Sequence, residues 1–488
     1  MLTAMKNLAL LLLLTALAIL VQGYHPGLED DAFYLAAIKR NLNPALFPHD
    51  SDFFGLQFQA TIFDKLIAAS IRWSHLPLAW GIFFWQFAVT FLILWCCLQI
   101  SRRCFSDRHA QWAAVAMVAA LLTIPVSGTA ISLTDQYLHP RALATALILG
   151  AIIAVLDERR LLAGTLLVLA FAIHAIMASF GISFCIFLGW KRNAWQSEKL
   201  QPVLFALLLL PLGWIFEPAS PAWRQAAATR HFYLLGEWRW YEWLGVFAPP
   251  LILGFFRWLA KRHGLPVAAR LASRLALYGV FQLIVALAIM LPRGLERLRP
   301  FEPMRFLHLV YLLMFLLAGG FLGQYILGRH VYRWILLFVP LSLGMFYAQR
   351  QMYPATEHVE WPGAATRNEW VQSFTWIRQN TPINSLFALD PDYMQLPGED
   401  YHGFRALAER SVLADNGKDA GMAARIPSLA ERWQKEVAAQ NGWKSFQAAD
   451  FQRLKSTFGV DWVVLASPGV PGMKCPYRNP QVLVCRVD

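Results

Sequence analysis

Charge is scarce in this chain. Only 15% of its 488 residues are Asp, Glu, Lys or Arg, against 57% hydrophobic residues and a mean hydropathy of +0.41. That balance excludes a soluble multidomain protein and implies a polytopic membrane protein. Acidic residues are scarcer than basic ones, 31 against 43, for a net charge of +12. The excess is confined to the apolar part: residues 1–349 hold 28 basic and 16 acidic side chains, and residues 350–488 hold 15 of each. Such a distribution suits loops facing anionic lipid or sites for anionic substrates, and argues against nucleic acid as a partner. From Gln351 onward there is no glycine-rich phosphate loop, no HExxH and no CxxC, so that region reads as a lid, an acceptor-recognition element or a support.

Cysteine is also sparse, with six in all. Cys96, Cys97 and Cys185 fall in hydrophobic runs and Cys104 in a basic loop, where a free thiol is expected. Cys475 and Cys485 flank the turn-like Pro476-Tyr477-Arg478-Asn479-Pro480, and outside the cytoplasm they would close a disulfide across a terminal hairpin.

What the chain does have is long apolar runs. Leu8–Val21, preceded by Lys6, reads as a signal peptide or a first membrane helix; the absence of a small-x-small cleavage site before Tyr24 favours retention. Further spans are expected at 78–100, 112–133, 142–156, 161–174, 175–190, 201–216, 241–260, 273–292, 306–327 and 334–348, about eleven in total. Basic residues follow every second span: Arg102, Arg103 and Arg108, then Arg159 and Arg160, Lys191 and Arg192, Lys261 and Arg262, and Arg329 and Arg333. By the positive-inside rule the N-terminus is cytoplasmic and the C-terminal region is outside the plasma (inner) membrane. Trp238, Trp240, Tyr241 and Trp243 suit an interfacial belt, and Ser220–Phe232 suits a helix lying on the membrane surface. His174 sits within a run too long for one span and reads as an interhelical histidine.

The region 350–488 has the composition of a soluble domain. Helices are expected from Glu369 to about Asn380, over Ala423–Gln440 and over Phe446–Phe458, with strands at Ser385–Leu389 and Val460–Ala466. Alternating strands and helices imply a small extracytoplasmic α/β domain.

Chemistry is concentrated between the first and second apolar runs, in Glu29-Asp30-Asp31-Ala32-Phe33-Tyr34. One carboxylate at a helix start is explained by capping, yet three adjacent carboxylates exceed that need. Beyond them, His49, Asp50 and Asp52 are metal-ligand types at close spacing, equally consistent with a polar loop; they are the candidates for a divalent metal ion. His139 and Arg141 either cap and anchor a helix or share a cavity with Asp30. Arg293, Arg297, Arg299 and Arg305 break the charge rule on the outer side. They either anchor to headgroups or offer their forked donors to a lipid-linked phosphate.

The Asp30-Asp31-x-x-Tyr34 string after a short first span, followed by many spans and a C-terminal outer domain, resembles the C-type membrane glycosyltransferases. That superfamily includes the protein O-mannosyltransferases and the aminoarabinose transferase of lipid A. The resemblance implies transfer of a sugar from a polyprenyl-phosphate or -diphosphate donor to an extracytoplasmic acceptor in the cell envelope. Asp30 would be the base, Asp31 its catalytic neighbour, and Tyr34 would lie at the substrate. The Trp-Trp-Asp-Tyr-Gly motif of oligosaccharyltransferases is missing, which argues against asparagine glycosylation. The competing readings are a transporter or flippase for a lipid-linked or anionic substrate, and a non-enzymatic envelope assembly factor. No internal repeat of the kind transporters carry is visible.

Overall fold

A computed structural model describes residues 2–189 and 217–488. The span expected at 201–216, and Lys191 and Arg192, lie outside the described residues. The chain is mostly helical. In order, the helices are α1 (Leu2–Gln22), α2 (Asp31–Leu42), α3 (Asp52–Gln59), α4 (Phe63–Ser74), α5 (Leu78–Cys104), α6 (Arg108–Ala120), α7 (Pro140–Leu156), α8 (Arg160–Ile173), α9 (Ala175–Gly189), α10 (Pro221–Ala228), α11 (Trp240–Arg262), α12 (Pro266–Met290), α13 (Leu307–Leu322) and α14 (Val331–Met352).

Among the described residues, six helices are long and apolar enough to cross a membrane: Met5–Gln22, Leu78–Cys104, Trp240–Arg262, Pro266–Met290, Pro303–Leu327 and Val331–Met352. The expectation of eleven spans is corrected accordingly. The apolar run at 112–133 stays helical only to Ala120. Pro125 then pairs with Ser132 in an isolated antiparallel bridge, and Ser127 and Ala130 take positive φ. Helices α7, α8 and α9 are apolar but short; at 1.5 Å per residue the longest reaches about 26 Å, under the roughly 30 Å of a hydrocarbon core. The run around His174 breaks at that residue, whose Nδ1 accepts the Met177 N–H at 3.3 Å at the start of α9.

The segment expected to lie on a membrane surface instead supports the C-terminal region. Ser220 caps α10 and Pro221 occupies its first position, while Trp223 is buried and donates its indole N–H to the Ala424 carbonyl at 2.7 Å. Trp240 and Tyr241 are exposed, as an interfacial belt requires, but Trp238 packs over Gly128.

Helix α14 ends at Met352, one turn beyond the change in composition at 349/350. After it come α15 (Glu369–Asn380), β1 (Leu386–Ala388), α16 (Phe404–Ala408), β2 (Ser411–Val412), α17 (Asp419–Arg425), α18 (Ala430–Ala439), α19 (Ala448–Phe458), β3 (Trp462–Ala466), β4 (Lys474–Arg478) and β5 (Val482–Arg486). The sheet order is β2-β1-β3-β5-β4. β1 runs parallel to β2 and β3, and β5 runs antiparallel to β3 and β4. The expected disulfide, Cys475–Cys485, joins β4 to β5. The single helix expected over 423–440 is divided by Pro427, because a residue before proline disfavours helical geometry and Ile426 is extended at φ −121°, ψ 92°.

The segment between α1 and α2 is stitched into the C-terminal domain by its backbone. Tyr24 and Glu360 are joined by a hydrogen bond of 2.9 Å, Glu29 donates to Tyr401 at 2.8 Å, and Gly403 donates to Gly27 at 2.8 Å. Gly403 is required by close approach: a Cβ there would lie 2.2 Å from the Ala32 Cβ. Gly403→Ala is therefore expected to destabilise the joint by about 1–3 kcal/mol. Thermal unfolding of the purified full chain checks this, and an unchanged midpoint would contradict the packing described.

Candidate functional site

The turn at 23–30 determines which of the adjacent carboxylates is available. Asp30 occupies the cap position of α2 yet makes no capping bond through its side chain. Asp31, one residue on, turns inward: its Oδ2 accepts the Gly27 N–H at 2.6 Å and it is 1% exposed. Burial pushes the Asp31 carboxyl up to about 7, partly offset by the Gly27 hydrogen bond and the charge of Lys39. Asp31 thus holds the turn and does not reach the cavity that Asp30 lines.

That cavity measures about 370 Å³ and draws its wall from both parts of the chain. Its cations are Arg141, Arg230, Arg305, Lys418 and Arg425; its carboxylates are Glu29, Asp30, Asp135 and Glu302. Tyr34, Tyr137, Tyr233 and Tyr353 supply aromatic surface.

Lys418 bridges two carboxylates, bonding Glu29 Oε2 and, at 3.0 Å, Asp30 Oδ1. Burial alone would raise the Asp30 carboxyl, but the Lys418 charge and then His139 outweigh it and hold Asp30 well below the usual carboxylate range. His139 caps α7: its Nδ1 accepts the Arg141 N–H at 2.9 Å, which puts the ring proton on Nε2, 3.8 Å from Asp30 Oδ2. Burial and the neighbouring Arg141 charge lower the His139 pKa, so the ring is neutral. Tyr34 packs edge-on against His139 at 4.7 Å between centroids, and burial followed by the Asp30 charge pushes its hydroxyl up to about 12, leaving it protonated.

The arginines are fixed by short ion pairs that leave donors over. Arg141 Nη2 meets Asp135 Oδ1 at 2.5 Å. Glu302 takes Arg305 on one oxygen at 2.5 Å and Arg425 on the other at 3.1 Å. Arg141 Nε and Nη1, Arg305 Nε, Arg425 Nε and Arg230 Nε are buried with no hydrogen-bond partner among the described residues. Unpaired buried donors of this kind are costly unless a ligand oxygen meets them. The wall therefore offers one ionised carboxylate beside several guanidinium N–H groups able to accept an anion.

Of the residues expected from sequence, Asp30, Tyr34, Arg141 and Arg305 line this cavity, and His139 touches Asp30. Arg293 and Arg297 do not. Arg293 is exposed, and Arg297 donates to the Pro218 carbonyl at 2.9 Å and lies 3.7 Å from Glu217. Arg299 likewise stays out of the wall. The metal candidates do not converge. Asp50 is buried against Arg405, which also forks onto Asp419 at 2.9 Å; His49 Nε2 meets the Asn384 carbonyl at 2.9 Å; Asp52 faces Arg432 at 3.4 Å. Among the described residues no group of three or more His, Cys, Asp or Glu is placed to hold a metal ion. Lys418, Arg425, Arg230 and Glu302 were not expected from sequence, and the only local signal was the turn string Asp415-Asn416-Gly417 before Lys418.

No protein-family model matches the chain, and no curated protein matches it.

Because the Asp30 pKa is depressed in the folded state, its contribution to stability is complete above the usual carboxylate value of 3.8 and is lost as pH falls through the lower folded value. Lys418→Met is expected to lower the thermal midpoint at pH 7, with the difference from the parent chain shrinking in acid below that range. A difference that stays constant from pH 7 to pH 3 would contradict the assignment of the Lys418–Asp30 pair.

Proposed function

We propose that the chain is an integral membrane glycosyltransferase that moves a sugar from a polyprenyl-phosphate-linked donor to an acceptor on the extracytoplasmic face. The observation that carries this reading is the shared cavity: the Asp30 carboxylate and the unpaired N–H groups of Arg141, Arg305 and Arg425 line one space. A lipid phosphate and a sugar carbon would need those two kinds of group side by side.

In the proposed step the acceptor hydroxyl oxygen bonds to the anomeric carbon and its proton passes to Asp30. The bond from that carbon to the phosphate oxygen breaks, and the lipid phosphate leaves with the electron pair. Arg141, Arg305 and Arg425 would neutralise the charge gathering on the leaving phosphate. A carboxylate of low proton affinity suffices, because the hydroxyl proton becomes strongly acidic only as its oxygen bonds to carbon. His139, whose Nε2 lies 3.8 Å from Asp30 Oδ2, would close on that oxygen to orient the base, and a single displacement inverts the anomeric centre.

Asp30→Asn is expected to lower transfer at least about 100-fold at unchanged protein level. Arg293→Gln, outside the cavity, should leave transfer unchanged, and Asp31→Asn should lower stability. The assay is profiling of envelope glycans in a strain carrying each variant as its only copy, with protein level measured in parallel. Loss of one specific sugar modification in Asp30→Asn supports transfer. Unchanged glycans with altered distribution of a lipid-linked intermediate would contradict it and favour a flippase.

A further inference from the structure

A second charged cleft lies at the far end of the α11–α12 pair. α11 starts beside the cavity region, where the Ser127 hydroxyl bonds the Glu242 carbonyl, and α12 leads back toward Arg305. The turn between them, His263–Leu265, is thus about 30 Å away along helices of 23 and 25 residues. Arg257 and Lys261 on α11, and Arg270 and Arg274 on α12, line a cleft of about 660 Å³ with no carboxylate among the described residues of its wall. Each pair is spaced i, i+4, so like charges sit one turn apart on both helices, an arrangement that destabilises an isolated helix. Arg270 lies just inside the N-terminus of α12, where the helix dipole also disfavours a cation. No acidic residue occurs anywhere between Glu242 and Glu296. The side chains of Arg257, Lys261 and Arg270 make no hydrogen bond or ion pair among the described residues, and all three are exposed. Among the described residues no counter-charge meets Arg257, Lys261 or Arg270, and an anion seated in the cleft would offset their mutual repulsion.

The surroundings select the source of that anion. Both helices are long and apolar enough to cross a membrane, and Leu251, Phe255, Trp258, Leu277, Phe281 and Ile284 stay 46–75% exposed along them. The cleft therefore opens where exposed apolar helix faces give way to polar residues, the depth of lipid headgroups. We propose that this cleft binds the headgroup of an anionic phospholipid, preferring one with two phosphates, independently of the chemistry at Asp30.

The test is native mass spectrometry of the full chain, delipidated in detergent and titrated with diphosphatidylglycerol, phosphatidylglycerol or phosphatidylcholine. Diphosphatidylglycerol should bind tightest. Each cation beside an anionic headgroup is worth about fivefold, so Arg257→Gln, Lys261→Gln and Arg270→Gln together should weaken it about 100-fold. A control carrying Arg102→Gln, Arg160→Gln and Arg329→Gln removes equal charge from exposed sites outside the cleft and should bind like the parent chain. Thermal unfolding confirms that both triple variants are folded. Equal affinity in parent and cleft variant, equal loss in the control, or displacement of the lipid by an equal concentration of inorganic diphosphate would each overturn the proposal.

Discussion

Charge buried at the joint between the helical part and the C-terminal domain governs this structure. Lys39 reaches across to Glu409 at 2.8 Å and to the Ala406 carbonyl at 2.6 Å, and Arg405 holds Asp50 from one side and Asp419 from the other. Lys418 ties Glu29 and Asp30, and Arg425 reaches Glu302. Such pairs add little stability over apolar packing, but removing one partner strands a buried charge at a cost of about 3–5 kcal/mol. They act as a register: the domain docks in the one position where each charge is met. Asp50, among the metal-ligand candidates by composition, belongs to this register, since a guanidinium occupies its carboxylate.

Register and site are connected through α17. Asp419, at its start, is gripped by Arg405, and Lys418 immediately before it points to Asp30 while Arg425 at its end points to Glu302. One short helix thereby brings two of the five cations to the cavity wall. The joint that orders the domain also lowers the proton affinity of Asp30 and leaves guanidinium donors facing an open space. A pair of tightly closed ion pairs would have no capacity for a ligand; the leftover N–H groups of Arg141 and Arg305 are what make the arrangement suited to an anion.

Sequence reading reached the local features and stopped at the long-range ones. Apolar runs of more than 20 residues became helices such as α5 and α12, because hydropathy at that length leaves little choice. The run at 112–133 misled, since hydropathy is blind to the bridge that Pro125 and Ser132 form. At the site, Asp30, Tyr34, His139 and Arg141 were legible because they lie in short strings at element starts. Asp30 was read as the base with Asp31 as its neighbour, but that Asp31 turns away from the cavity was not legible, because neighbouring residues at a helix start point about 100° apart and the phase is set by the Gly27 turn. Apart from the turn string before Lys418, neither Lys418 nor Arg425 carried a signal: a cation in a charge-balanced domain looks like solvated surface until the fold brings it to the site, for Lys418 across more than 380 residues to Asp30.

The central claim is that one cavity holds a lipid phosphate against arginines with its sugar toward Asp30. A cryo-EM map of the full chain bound to a polyprenyl phosphate tests it most directly. The account predicts phosphate density within hydrogen-bond distance of Arg141, Arg305 or Arg425 and on the same side of the cavity as Asp30. Phosphate bound elsewhere, with this cavity empty of it, would contradict the account.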